Sequence, residues 1–154
     1  MRISILVVGR PRNAAIGEAI ADYEDRATRY WPMDFVEVRE ESSRGQPESL
    51  VREREGERIA ARLPSGAKLV VCDPGGEGMT SEEFSGFVQS FRERGESLAF
   101  AIGGAFGLAE SLVSRSVRRL SMAPWTLPHE LARLVLAEQL YRAGTIQRGE
   151  PYHK

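Results

Sequence analysis

The stretch Thr126–Ala143, TLPHELARLVLAEQLYRA, decides how the rest of the chain is read. Pro128 suits the first position of a helix, because its missing N–H would have no partner there and its φ is already helical. Leu131, Ala132, Leu134, Val135, Leu136, Ala137, Leu140 and Ala143 spread around most of the circumference rather than forming one stripe. Such a helix requires burial on more than one side, and in a short chain a second protomer is a natural partner. At about 100° per residue, His129 and Arg133 share one face, with Glu138 and Arg142 roughly opposite. His129 and Glu130 can be read either as functional groups or as ordinary N-terminal polar residues. Glu138 and Arg142, four apart, have the spacing of a stabilising surface pair.

Working outward, the chain of 154 residues, 42% hydrophobic and 28% charged, suffices for one soluble domain, 1–154, with a real core. The apolar run Ile3–Val8 is too short for a membrane span or the core of a signal peptide, so a cytoplasmic protein without membrane contact is expected. The lone cysteine, Cys72, excludes an internal disulfide and a cysteine-based zinc site; after Leu69-Val70-Val71 it reads as a small buried hydrophobe. With only His129 and His153 besides, no metal site is expected. A formal charge of −1 argues against gripping bare nucleic acid by overall charge, so any polyanion contact must be local. Only two of the 21 basic residues are lysines. Arginine suits phosphates and base edges better than lysine, although genomic base composition explains the bias equally well.

Strand and helix signals alternate. Strands are expected at Ile3–Val8, Phe35–Val38, Lys68–Cys72, Ser97–Ile102 and Val117–Ser121. Helices are expected from an Asn13 cap to about Thr28, over Glu48–Leu63, from a Thr80/Glu83 capping box to about Arg94, and briefly from Leu108. Arg54, Arg58 and Arg62 form a basic ridge, which the interleaved Glu53 and Glu57 mark as a solvated face. Glu40–Pro47 and Asp73–Gly78 read as flexible loops. The alternation predicts an α/β domain with a mainly parallel sheet covered on both faces. Ligands of such sheets bind beyond the carboxyl ends of the strands, where turns begin at Asp73, Gly103 and Met122. Gly103-Gly104-Ala105-Phe106-Gly107 lacks both the GxGxxG spacing and the lysine of a P-loop, so nucleotide hydrolysis is excluded. No GxSxG nucleophile elbow is present.

Three segments together, IGGAFGL at Ile102–Leu108, TLPHELARLVLAEQLYRA at Thr126–Ala143 and PYHK at the C-terminus, resemble the RlmH (YbeA) family of ribosomal RNA methyltransferases, in the SPOUT superfamily. The resemblance runs from Met1 to Lys154. It implies a homodimeric fold with a deep C-terminal trefoil knot, an exception to the rule against knots. It also implies methyl transfer from S-adenosyl-L-methionine to N3 of a pseudouridine in the helix 69 loop of 23S ribosomal RNA, on the assembled ribosome.

Carried over by position, the resemblance places cofactor contacts at Cys72, Gly104, Ala123, Pro124, Trp125, Thr126, Leu127 and Pro128. The pseudouridine N3 loses a proton as it attacks, which assigns His129 or His153 to the proton and Arg142 to the negative charge, with Tyr152 orienting the base. The family usually carries histidine before its Pro-Tyr-His, where this chain has Glu150. Two other readings remain open from the residues: a non-catalytic ribosome-associated binding protein of the same fold, and a flavodoxin-like or small nucleotide-binding protein.

Overall fold

The computed structural model describes all residues, Met1–Lys154. The elements follow as β1 (Ile3–Val8), α1 (Ala14–Thr28), β2 (Met33–Val38), α2 (Glu48–Ala60), β3 (Lys68–Glu77), α3 (Ser81–Arg94), β4 (Leu98–Ile102), α4 (Glu110–Arg115), β5 (Arg118–Leu120) and α5 (His129–Gln147). The five strands form one sheet in the order β2-β1-β4-β3-β5, every neighbouring pair parallel. The α/β architecture with a parallel sheet is as expected.

Side-chain alternation splits the core between the two faces. Ile3, Ile5 and Val7 of β1, Val70 of β3, and Leu98, Phe100 and Ile102 of β4 meet α1, α3 and α5. Their neighbours Leu6, Val8, Leu69, Val71, Ala99 and Ala101 meet Ile59 of α2 and Leu112 of α4 on the other face. Successive strand residues point to opposite faces, and a strand covered on both is largely apolar, which is why β4 reads as an unbroken hydrophobic run and β1 as one interrupted only by the buried Ser4.

Local signals set the helix ends. The Asn13 side chain accepts from the Ile16 N–H at 3.1 Å. Thr80 and Glu83 close a full capping box, Glu83 N to Thr80 Oγ1 at 3.2 Å and Thr80 N to Glu83 Oε2 at 2.8 Å. Pro128 differs from its expected place. Its ψ of 145° puts it at the N-cap, and the helix begins at His129. Its fixed φ serves the turn entering the helix rather than the first helical turn.

Asp73–Gly78 also differs from expectation. The chain continues as β3 to Glu77, with Cys72 and Glu77 both paired to Leu120 and the residues between them bulging out of the ladder. The Asp73 carboxylate closes the bulge, accepting from Gly75 N at 2.8 Å and Arg119 Nε at 3.0 Å. A Cβ at Gly76 would lie 2.6 Å from the carbonyl carbon of Arg119, so backbone approaches backbone there and only glycine fits. Glu40–Pro47 lacks regular structure but is tethered: Glu41 pairs with Arg54 and Arg58, and its N–H donates to Glu55 Oε1 at 3.1 Å. The basic ridge of α2 is thus partly spent on this loop.

α5 lies against α1 and α3 over one sheet face, with Leu136, Ala137, Leu140 and Ala143 buried. Trp31 Nε1 donates to the Leu140 carbonyl at 2.8 Å and Ser85 Oγ to the Ala143 carbonyl at 3.0 Å, so both flanking elements grip its backbone. Arg133 is not a surface partner of His129. It is 6% exposed, bidentate to Glu24 of α1 at 2.7 and 3.1 Å, and bonded to Glu37 of β2 at 2.8 Å. Burial raises the Glu24 carboxyl above its ordinary range despite the opposing guanidinium. Removing the cation would leave that carboxylate uncompensated, which costs more than the pair contributes. Arg133→Leu is therefore expected to destabilise the fold by about 3–5 kcal/mol at pH 7 in urea unfolding. The folded variant's Glu24 holds its proton more tightly than the unfolded chain's, so stability is retained at low pH and lost as pH rises through the folded value. The deficit should consequently shrink from pH 7 to pH 5.

Candidate active site

Beyond the carboxyl end of β4 and beside the bulge of β3 lies a cavity of about 460 Å³, walled by three segments. Cys72, Asp73 and Pro74 come from β3, Gly103–Ala105 and Gly107 from the turn after β4, and Met122, Ala123 and Trp125–Pro128 from the turn before α5, with His129 and Ala132 closing it. The glycine turn is locally required. Gly107 has φ +83°, and a Cβ on Gly103 would stand 2.6 Å from the Gly107 carbonyl carbon. Trp125 stands at the rim, 76% exposed.

No arginine or lysine lines this cavity, and its only charged or titratable walls besides the Cys72 thiol are Asp73 and His129. A nucleoside diphosphate or flavin phosphate is normally met by cations as well as by helix amides, and here the uncapped start of α5 stands without any cation beside it. Backbone groups, apolar side chains and a carboxylate instead suit a phosphate-free ligand carrying positive charge.

All the residues expected to hold a cofactor line this cavity, except Pro124. The four expected catalytic residues divide into two groups. His129 lines the cavity, and its Nε2 is buried without a protein hydrogen-bond partner, 3.8 Å from Glu40 Oε1. Arg142, Tyr152 and His153 gather at the other end of α5. Thirteen residues of helix separate His129 from Arg142, roughly 20 Å.

That second cluster centres on Glu138, which the sequence presents only as a surface partner of Arg142. Glu138 Oε1 accepts from Arg142 at 2.6 and 3.0 Å and from the Tyr152 hydroxyl at 3.0 Å. The Arg142 guanidinium also lies over the Tyr152 ring, 4.7 Å from its centroid. Burial, with hydrogen bonds to Tyr23 and Glu138, keeps the Tyr152 hydroxyl protonated well above the ordinary range. His153 is held on both sides: Nδ1 lies 3.3 Å from Arg142 Nη1 and Nε2 lies 2.8 Å from Glu82. Since a guanidinium only donates, Nδ1 accepts and Nε2 donates to the carboxylate. The tail is docked rather than frayed, and Glu150 helps by accepting from the Tyr30 hydroxyl. That bond and burial push Tyr30 up to about 12.

These elements define a methyltransferase fold. The chain matches the family described as "Predicted SPOUT methyltransferase" over residues 1–153 and belongs to it. It is 58% identical over its whole length, and the whole length of the relative, to the Ribosomal RNA large subunit methyltransferase H of Gemmatimonas aurantiaca. With the protein of the same name from Geobacter sp. strain M21 it is 41% identical over 99% of both chains. Within the superfamily the chain therefore belongs to the RlmH family. A crystal structure of a probable methyltransferase from Bordetella pertussis Tohama I shares the fold, with a TM-score of 0.54 at 14% identity over 92% of this chain and 95% of that one.

Cys72 is part-buried at the cavity wall rather than fully buried as expected; desolvation there, then the neighbouring Asp73, pushes its thiol up to about 12. The thiolate is the nucleophile, so this side chain is a wall and not a reagent. Iodoacetamide at pH 8 should alkylate it at least about tenfold more slowly in the folded protein than in urea, as followed by intact-mass spectrometry.

Proposed function

We propose that this chain methylates N3 of a pseudouridine in the helix 69 loop of 23S ribosomal RNA, as a cytoplasmic, knotted homodimer acting on the assembled ribosome with S-adenosyl-L-methionine as methyl donor. The observation that carries the reading is the cavity at the strand ends, built largely from backbone and apolar side chains with no basic residue in its wall. The names of the relatives supply the ribosomal RNA.

When bound, S-adenosyl-L-methionine supplies an electrophilic sulfonium methyl. The residues that hold it are Cys72, Gly103, Gly104, Gly107 and the segment Ala123–Pro128, all of which except Pro124 border the cavity. The pseudouridine N3 carries a proton that must leave, and a base with a free lone pair close to the cavity suits that task. His129 fits better than His153, because it lines the cavity whereas both nitrogens of His153 are occupied at the far cluster. Arg142 stabilises negative charge on the base and Tyr152 orients it, Glu138 keeping both in place.

The separation along α5 supports a site shared between protomers, in which the tail cluster of one serves the cavity of the other. Leu131, Leu134 and Val135 remain only half-buried on the same helix, an apolar face suited to a second copy. Incubating ribosomes that lack the modification with protein and S-adenosyl-L-methionine should add one methyl group to the helix 69 fragment by mass spectrometry. Binding to the ribosome without methyl incorporation would instead make the protein a non-catalytic factor. His129→Ala and a chain ending at Gly149 should each be inactive while retaining S-adenosylhomocysteine binding. Co-refolded in equal amounts, the two should recover about a quarter of wild-type turnover, because half the dimers then hold one complete site. No recovery would place the tail's work within its own protomer.

A further inference from the structure

On the far side of the glycine turn lies a second cavity of about 310 Å³, which shares Ala105, Pro128 and His129 with the first. Its wall carries Glu40, Glu41, Glu55 and Glu130 beside Arg12. Three of these acids are already answered. Glu40 pairs with Arg12 at 2.7 Å, Glu41 with Arg58 and Arg54, and Glu130 accepts from the backbone N–H of Arg12 at 3.0 Å.

Glu55 is different. It is 4% exposed, forms no ion pair, and takes a single hydrogen bond, from Glu41 N to Oε1; Oε2 has no protein partner. This carboxylate presses against the glycine turn: a Cβ on Gly104 would lie 2.8 Å from Oε2 and 3.2 Å from Oε1. Gly104 itself borders the first cavity, and its lack of a side chain is what lets the Glu55 carboxylate approach that turn.

We propose that Glu55 gives the cavity its preference for a cationic sulfonium donor over the neutral thioether left after transfer; this rests on the methyltransferase reading above. Burial works against the ionised carboxylate and raises its affinity for a proton, an effect that the nearby Glu40 reinforces and Arg58 opposes. A positive charge across the turn is the missing compensation. S-adenosyl-L-methionine and S-adenosylhomocysteine differ by one methyl group and one unit of charge at sulfur, so a fixed anion close to that sulfur separates them where shape alone barely can. A ligand atom in ordinary contact with Gly104, at about 4 Å, lies within about 8 Å of Oε2. At an effective dielectric constant of about 20, unit charges at that distance favour the charged ligand by more than about tenfold. Because the product lacks the charge, the same anion also helps it leave.

Glu55→Gln keeps the shape and the hydrogen bond from Glu41 while removing the charge. In isothermal titration calorimetry of the full-length protein at pH 7.5, the variant should bind S-adenosylhomocysteine within about twofold of wild type. Its affinity for S-adenosyl-L-methionine should fall by about tenfold or more. If the two affinities are unchanged, or fall together, the discrimination is not made by Glu55. A wild-type measurement that does not depend on the variant's folding is the proton balance near pH 5.5, in buffers of different ionisation enthalpy. Glu40 and Glu41 on the loop before α2, Arg58 on α2 and His129 on α5 face Glu55, and both ligands meet the same set. Binding of S-adenosyl-L-methionine should release more protons than binding of S-adenosylhomocysteine; equal release in wild type, or an excess that survives unchanged in Glu55→Gln, would overturn the proposal. If wild type binds neither compound, the methyltransferase reading itself fails, and the role of Glu55 falls with it.

Discussion

The seating of α5 on the sheet is the constraint on which the rest depends. This helix closes the cavity with its first turn, carries Glu138 and Arg142 in its second half, and ends in the tail that packs back onto it. It is fixed by apolar burial of Leu136, Leu140 and Ala143, by hydrogen bonds from Trp31 and Ser85 to its carbonyls, and by the three-residue charge cluster around Arg133. Gly144 lets the helix approach the turn after α1 closely, with the Tyr30 side chain occupying the space a methyl group would need. Rotation or sliding of α5 would break all of these contacts together, so the positions of His129 and Arg142 are set by one packing solution.

The electrostatics divide along that helix. Near its start, carboxylates predominate around the cavity, with Glu55 and Asp73 on either side and no basic side chain in the wall. Near its end, Arg142 and Arg148 lie over the aromatic rings of Tyr152 and Tyr30. The near-neutral net charge is matched locally at this end, where Arg142 pairs with Glu138, Arg148 with Glu150 and His153 with Glu82.

Much of the framework was legible in the residues. β1 and β4 could be placed because strands covered on both faces must be largely apolar, and the starts of α1 and α3 because Asn13 and the Thr80/Glu83 pair satisfy orphan amides locally. Two of the three cavity walls, the turns at Gly103 and Met122, were legible because glycine and proline mark places where backbone must turn sharply or come close. Glu55 was not legible: in a helix dense with Glu and Arg, nothing in the spacing distinguishes the one carboxylate that is buried. Glu138 was hidden for a similar reason, since a Glu and an Arg four apart look identical whether they face water or hold a tyrosine. The course of Asp73–Glu77 was misjudged because a Pro-Gly-Gly run signals a loop locally, while Arg119 recruits it into the sheet from 46 residues away.

What the sequence by itself determined was the alternation of elements, the parallel sheet, the strand-end turns and, through three motifs, the family, because each is encoded by neighbours along the chain. Only the tertiary structure decided that Arg133 is a buried clamp, that the tail is docked on Glu138, and that His129 stands roughly 20 Å along the helix from Arg142. It alone decided, too, that Glu55 lies behind Gly104. Burial and charge compensation depend on which distant segments are brought together, and no local pattern of residues records that.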